Sequence, residues 1–100
     1  MDSFQQLLWW LFQSSSGAST RTRMVRALRE EPRNAQQLAN ALSLDYTTVR
    51  HHLKVLVQNR LIEVMGDRYG QVYFVGANLE SRWAAWEAIV SRGRTGRPRE

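Results

Sequence analysis

Between Thr47 and Gln58, five polar side chains (Thr47, Arg50, His51, Lys54 and Gln58) fall on one side of a helical projection, with no carboxylate among them. At about 100° per residue they lie opposite an apolar stripe of Val49, Leu53 and Leu56, with Val57 beside it. A solvated helix face ordinarily mixes signs, because opposite charges four residues apart stabilise it. A face of donors, acceptors and positive charge alone matches the base edges of a DNA major groove; the alternative is a solvated surface that happens to lack Asp and Glu. Bond-making chemistry is not legible. There is no Ser/His/Asp arrangement, metal-ligand cluster or Gly-rich phosphate loop, and nothing around Glu63 and Asp67 suggests a catalytic cleft. With no cysteine, disulfides and thiolate metal sites are excluded. His51 and His52 are adjacent and point about 100° apart on a helix, which is poor geometry for sharing an ion. The expectation is a binding protein rather than an enzyme, without metal or cofactor.

Two short helices joined by a tight turn must position that face. Asn34 is placed to cap the first, on which Leu38, Ala39 and Leu42 make a narrow apolar side. Ser43, Leu44 and Asp45 form the turn, Leu44 anchoring it to the core. Asp45 caps the second helix, where its charge suits the positive end of the helix dipole. This is a helix-turn-helix over 34–59. Behind it, Leu61, Ile62, Val64 and Met65, a turn of Gly66-Asp67-Arg68-Tyr69-Gly70, and Gln71 to Val75 read as a β-hairpin. A hairpin directly after a recognition helix is a wing, with Arg68 at its tip. Arg68 there is either a phosphate or minor-groove contact or a solvated turn residue.

Ahead of this core, a helix capped by Ser19 or Thr20 runs to about Glu31, with Met24, Val25 and Leu28 as its stripe and Pro32 as its stop. Arg21 and Arg23 near its start are either phosphate contacts or solvated arginines. Two further amphipathic helices close the ends. From Ser3 to Gln13, Phe4, Leu7, Leu8, Leu11 and Phe12 follow helical spacing, and Trp9 and Trp10 widen the apolar surface. From Asn78 or Ser81 to about Arg92, Leu79, Trp83, Trp86 and Val90 share a face. Core packing, a subunit interface and a membrane-surface helix are the readings of the N-terminal helix, the last weakened by its lack of Lys and Arg. Packing of both end helices across a two-fold axis would place two recognition helices on successive major grooves. Phe4, Leu7, Leu8, Leu11, Trp83 and Trp86 are the candidate interface.

The chain has 100 residues and a formal net charge of +5, which favours one domain and an anionic partner. Arginine supplies all but one of its 14 basic residues, Lys54 being the exception. The start is acidic rather than basic and LLWWLF is too short to span a bilayer, so no membrane insertion and a cytoplasmic location are expected. Residues 1–92 are read as the winged domain with its terminal helices, and 93–100 as a flexible basic tail.

LDYTTVRHHLKVLVQNRLIEV resembles the winged helix-turn-helix of ArsR-type transcriptional regulators, whose recognition helix often reads Thr-Val-x-x-His-Leu-Lys-x-Leu. Thr48, Val49, His52, Leu53, Lys54 and Leu56 match that pattern. The likeness covers about 19–76 and is greatest to short archaeal members with an aromatic N-terminal helix. It implies a mainly α fold with a small β-hairpin wing (α+β), double-stranded DNA as partner and base contacts from Tyr46, Thr47, Arg50 and His51. Thr48 and His52 then serve phosphate contacts or helix packing, His52 the latter. Three departures stand out. Ser43 occupies a turn position where the family prefers Gly, and a left-handed Ser costs on the order of 1 kcal/mol, so a different turn is expected. Asn59-Arg60 replaces another Gly, with Asn59 expected as the left-handed cap. The cysteine metal motif is missing, and no effector site is legible.

These readings converge on a sequence-specific, homodimeric regulator that binds a pseudo-palindromic site through a recognition helix at about 46–58 and a wing at about 62–75. The DNA-contacting set is Tyr46, Thr47, Thr48, Arg50, His51, Lys54, Arg68, Arg21 and Arg23, with Arg50 reading a guanine edge and Arg68 a phosphate or the minor groove. The alternative is a winged-helix protein-interaction module with incidental DNA affinity.

Overall fold

The computed structural model describes residues 2–95, with side chains to Arg92. Along the chain come α1 (Ser3–Trp9), a π-helical turn (Trp10–Ser14), α2 (Ala18–Glu30), α3 (Ala35–Leu42), α4 (Tyr46–Gln58), β1 (Ile62–Met65), β2 (Val72–Val75), α5 (Ala77–Glu80) and α6 (Trp83–Thr95). This is a winged helix-turn-helix in the α+β class. The described residues group into two compact units, one holding 2–22 and 82–95, the other 23–81.

In the 23–81 unit, α3 and α4 form the helix-turn-helix. Asn34 accepts from the Gln37 N–H at 2.7 Å and Gln37 accepts from the Asn34 N–H at 2.8 Å, a reciprocal cap that fixes where α3 begins. Leu38 and Ala39 are buried, as their spacing predicts, while Leu42 is half-buried. Ser43 does take the left-handed conformation (φ 55°, ψ 46°), contrary to the expected departure. Two hydrogen bonds hold it there, Ser43 N–H to Asn40 O at 3.3 Å and Leu44 N–H to Ala39 O at 2.9 Å. They satisfy carbonyls that the helix end would otherwise leave orphaned. Asp45 then caps α4, accepting from the Thr48 N–H at 3.0 Å.

The other end of α4 corrects an expectation. The left-handed residue is Arg60 (φ 62°), whereas Asn59 has φ −95°. Asn59 lies one residue too early for that cap, and its Nδ2 donates to Val55 O at 2.9 Å. Arg60 N–H to Val57 O at 2.9 Å and Leu61 N–H to Leu56 O at 3.0 Å complete the same kind of cap as at Ser43. Leu56 and Leu61 are both fully buried beneath it.

The wing pairs β1 with β2 antiparallel, Ile62 opposite Val75 and Met65 opposite Val72. Arg33 adds a short third edge, its N–H donating to Tyr73 O at 3.1 Å and its O accepting from the Tyr73 N–H at 2.8 Å. Gly66 is required at the turn. Its φ is +103°, and a Cβ there would run into the Gly70 carbonyl oxygen.

In the other unit, Asp2 caps α1 reciprocally with Gln5. The Gln5 N–H, and after it Arg82, hold the Asp2 carboxyl below the usual aspartate range. α1 ends in the π turn instead of continuing to Gln13, with the Ser15 N–H and hydroxyl both donating to Trp10 O. α1 and α6 pack together. Phe12 meets Trp86 edge-on at 5.5 Å, and Trp83 stacks on Trp86 at 4.5 Å.

Two boundaries differ from expectation. α2 starts at Ala18, so Ser19 and Thr20 lie inside it and do not cap it. The expected single last helix is two, α5 and α6, and Leu79 belongs to the first of them. The Ser81 hydroxyl donates to Asn78 O at 3.1 Å at that break, competing with a continuous helix. α6 reaches Thr95, inside the segment expected as a tail; residues 96–100 lie outside the described residues. No helix among the described residues is long and apolar enough to cross a membrane.

Candidate nucleic-acid interface

The buried Val49, Leu53 and Leu56 fix the rotation of α4, and with it which side chains face outward. Tyr46, Thr47, Thr48, Arg50, His51 and Lys54 are all exposed. His52 is 8% exposed and turned inward, as expected of a packing residue. The Thr48 hydroxyl lies 3.4 Å from the Asp45 carboxylate, so this side chain takes part in the helix cap.

Two depressions bring these residues together with the wing. One, of about 470 Å³, is lined by Thr47, Arg50, His51, Lys54 and Gln58 on α4, over a floor that includes Leu53, Val57, Val64 and Tyr73. The other, of about 180 Å³, lies between the start of α3, the start of α4 and the wing tip, and its lining includes Tyr46, Arg50, Arg68, Tyr69 and Gln71. Neither lining contains a carboxylate. Arg50 Nη1 donates to the Tyr46 hydroxyl at 3.2 Å, its guanidinium carbon 5.9 Å from the ring centroid. That hydrogen bond raises the Arg50 pKa above its usual value. Arg68 makes the corresponding pair with Tyr69, at 3.4 Å and 5.3 Å.

Arg21 belongs to no such surface, which overturns its assignment as a phosphate contact. It is 5% exposed. Its Nε donates to Leu11 O at 2.8 Å, and its Nη2 donates to Ser16 O at 3.0 Å and to the Ser15 hydroxyl. Burial lowers its pKa. Arg23 is exposed and donates to Leu42 O at 2.8 Å; it lines neither depression. Spacing alone put both arginines at the start of a helix, but the chain just before α2 folds back over one of them.

The interface set divides similarly. Leu8, Leu11 and Trp86 are 0%, 3% and 0% exposed within a single chain, so they are core and leave nothing for a partner to cover. Phe4, Leu7 and Trp83 are half-buried, and Trp10, not among the expected residues, is 58% exposed. The lining residues of the two depressions left out of the expected set include Val57, Val64, Tyr69, Gln71 and Tyr73. Val64 escaped a period-two reading, because alternation puts it on the face of the buried Ile62, whereas β1 leaves Val64 exposed.

A winged helix-turn-helix with a carboxylate-free groove beside its second helix defines a DNA-binding class. Residues 18–64 match the family described as bacterial regulatory protein, arsR family. The matched stretch holds α2, the helix-turn-helix and most of β1, so this part of the chain is similar to regulators of that family. Solved structures with the same fold include a possible transcriptional regulatory protein of Mycobacterium bovis, 19% identical, covering 88% of this chain and 91% of its own, TM-score 0.67. A solution structure from the same organism is described as the homodimeric winged helix-turn-helix DNA-binding domain of a possible ArsR-family regulator. It is 16% identical over 97% of this chain and 88% of that one, TM-score 0.67. Reduced HlyU of Vibrio cholerae is 14% identical, covering 96% and 93%, TM-score 0.63. No curated protein sequence matches the chain.

Proposed function

We propose that the protein is a homodimeric transcriptional regulator of the cytoplasm that binds a pseudo-palindromic duplex site, with α4 in the major groove and the wing on the adjoining backbone. The observation that carries this is the groove shared by α4 and the wing, where Thr47, Arg50, His51, Lys54 and Gln58 converge with no carboxylate. Thr47, His51, Lys54 and Gln58 have the donors and acceptors to read base edges, and Val57 and Val64 offer apolar contact to thymine methyl groups. The homodimer is supported by the exposed Trp10 and the half-buried Phe4, Leu7 and Trp83. The Mycobacterium bovis relative described as homodimeric supports it too.

The test is selection of bound sequences from random duplex DNA at physiological salt. An enriched site with two inverted half-sites is expected; a pool with no enriched motif overturns the reading. Affinity for the enriched site should fall steeply with salt, as counterions are released from each contacted phosphate. The protein-interaction reading rests on the same exposed Trp10. It becomes the better one if replacing His51, Lys54 and Arg50 together leaves DNA binding intact.

A further inference from the structure

We propose that Arg50 and Arg68 close from opposite walls on one phosphate group in the cleft between the start of α4 and the wing tip, so that Arg50 is a backbone clamp and not a base reader. This rests on the DNA-binding reading above and refines it.

Arg50 and Arg68 come from different elements and line the same depression of about 180 Å³. Each guanidinium is held by a tyrosine, Arg50 by Tyr46 at 3.2 Å and Arg68 by Tyr69 at 3.4 Å. A guanidinium has five N–H donors, and the tyrosine hydroxyl takes one from each fork. The remaining donors suit the non-bridging oxygens of a phosphate, which arginine binds with paired, charge-assisted hydrogen bonds. Holding each side chain in advance lowers the entropy lost on binding.

The direction of Arg50 follows from helix geometry. Side chains on a helix lean toward its N-terminus, and the bond to Tyr46, one turn earlier, draws Arg50 the same way. Arg50 thus lies where the two depressions meet, lining the cleft with Arg68 as well as the groove with Lys54 and Gln58. Asp67 of the wing turn accepts the Tyr69 N–H at 2.9 Å and does not line the cleft. The first turn of α3 is closed by its own reciprocal cap of Asn34 and Gln37, so the site rests on the two arginines. Base reading then passes to Thr47, His51, Lys54 and Gln58.

The phosphate is either a DNA diester or a free phosphate group, and two measurements on the full chain separate these. The first is a double-mutant cycle of Arg50→Gln and Arg68→Gln on a selected and a scrambled duplex. Each single variant is expected to weaken both duplexes by the same factor, about tenfold per protomer, and the double variant by little more than either single, because partners on one group are not additive. A double effect equal to the product of the singles overturns the proposal, as does loss of preference for the selected duplex in Arg50→Gln. The second is titration with inorganic phosphate, followed by NMR at the arginine Nε–H signals. Arg50 and Arg68 should shift together on one isotherm, and Tyr46→Phe with Tyr69→Phe should weaken it without lowering the melting temperature. Separate isotherms, or no shift, overturn the shared site. If the wild type binds no duplex yet shows the shared isotherm, the cleft stands as a site for a free phosphate group and the DNA reading falls.

Discussion

Arg21 and Arg23 are two residues apart in one helix, yet only Arg21 is enclosed by Leu11, Ser15 and Ser16. Removing it strips a charged donor from the buried Leu11 carbonyl and the part-buried Ser16 carbonyl, and hydrogen bonds to charged groups contribute about 1.5–3 kcal/mol. Arg21→Ala should therefore cost about 2–3 kcal/mol, and Arg21→Lys should not restore it, because an ammonium cannot reproduce the planar fork. Arg23→Ala, at an exposed position, should cost less than about 1 kcal/mol. Urea denaturation of the three variants decides this, and equal losses for Arg21→Ala and Arg23→Ala would refute the assignment. The left-handed residues belong to the same scale. Ser43 and Arg60 sit at φ 55° and 62°, where an L-residue is strained by about 1–2 kcal/mol. Glycine relieves the strain but gives back about 0.5–1 kcal/mol of backbone entropy. Ser43→Gly and Arg60→Gly should each stabilise the chain by up to about 1 kcal/mol, raising Tm by about 4–8 °C at the upper end. A fall in Tm in either variant would contradict the cap geometry.

At the level of elements, the helix-turn-helix was legible because its signals are local. Asn34 and Asp45 announce their helices within one turn, and the apolar stripe of α4 admits only one buried face. The wing was legible from two β-rich runs around Gly66 and Gly70. What escaped depended on chain partners distant in sequence or on competition within one turn. The Arg33–Tyr73 bridge joins residues forty positions apart, and nothing local to Arg33 predicts it. The π turn after α1 and the break between α5 and α6 both come where serine hydroxyls compete for helix carbonyls. Periodicity continued through both points, so a reading by stripe alone joined α5 to α6. Of the candidate site, the outer face of α4 could be read from its own spacing. The pairing of Arg50 with Tyr46 and of Arg68 with Tyr69 could not, since side-chain direction decides it. The wing turn offers an element-scale test. Gly66→Ala places a Cβ against the Gly70 carbonyl at a φ that L-residues rarely adopt, a strain of about 1–3 kcal/mol. It should weaken selected and scrambled duplexes alike by displacing Arg68, while the far-ultraviolet helix signal is retained. Unchanged affinity for both would separate the wing tip from DNA binding.

For the whole molecule, the tryptophans decide what the terminal helices are for. An amphipathic helix with more apolar surface than one stripe must hide the excess either within its own chain or against another. The terminal unit does part of this internally, with Trp86 fully buried between contacts to Phe12 and Trp83. Trp10 is left 58% exposed on the same short helical segment that buries Leu11 and Phe12. If dimerisation depends on that exposed ring, the two tryptophans separate cleanly by experiment. Trp86→Ala opens a core cavity and should cost about 3–5 kcal/mol of stability. Trp10, 58% exposed, is only partly packed in the monomer, so Trp10→Ser should cost less stability than Trp86→Ala. The mass of the Trp10→Ser chain by light scattering at micromolar concentration should fall from dimer toward monomer. Its affinity for a two-half-site duplex should fall with it, since linking two half-site contacts raises avidity by about 10²–10⁴, while affinity for a single half-site stays unchanged. A wild-type chain that scatters as a folded monomer, or a Trp10→Ser chain that remains dimeric, would remove the terminal helix from the interface and leave the winged unit to bind DNA alone.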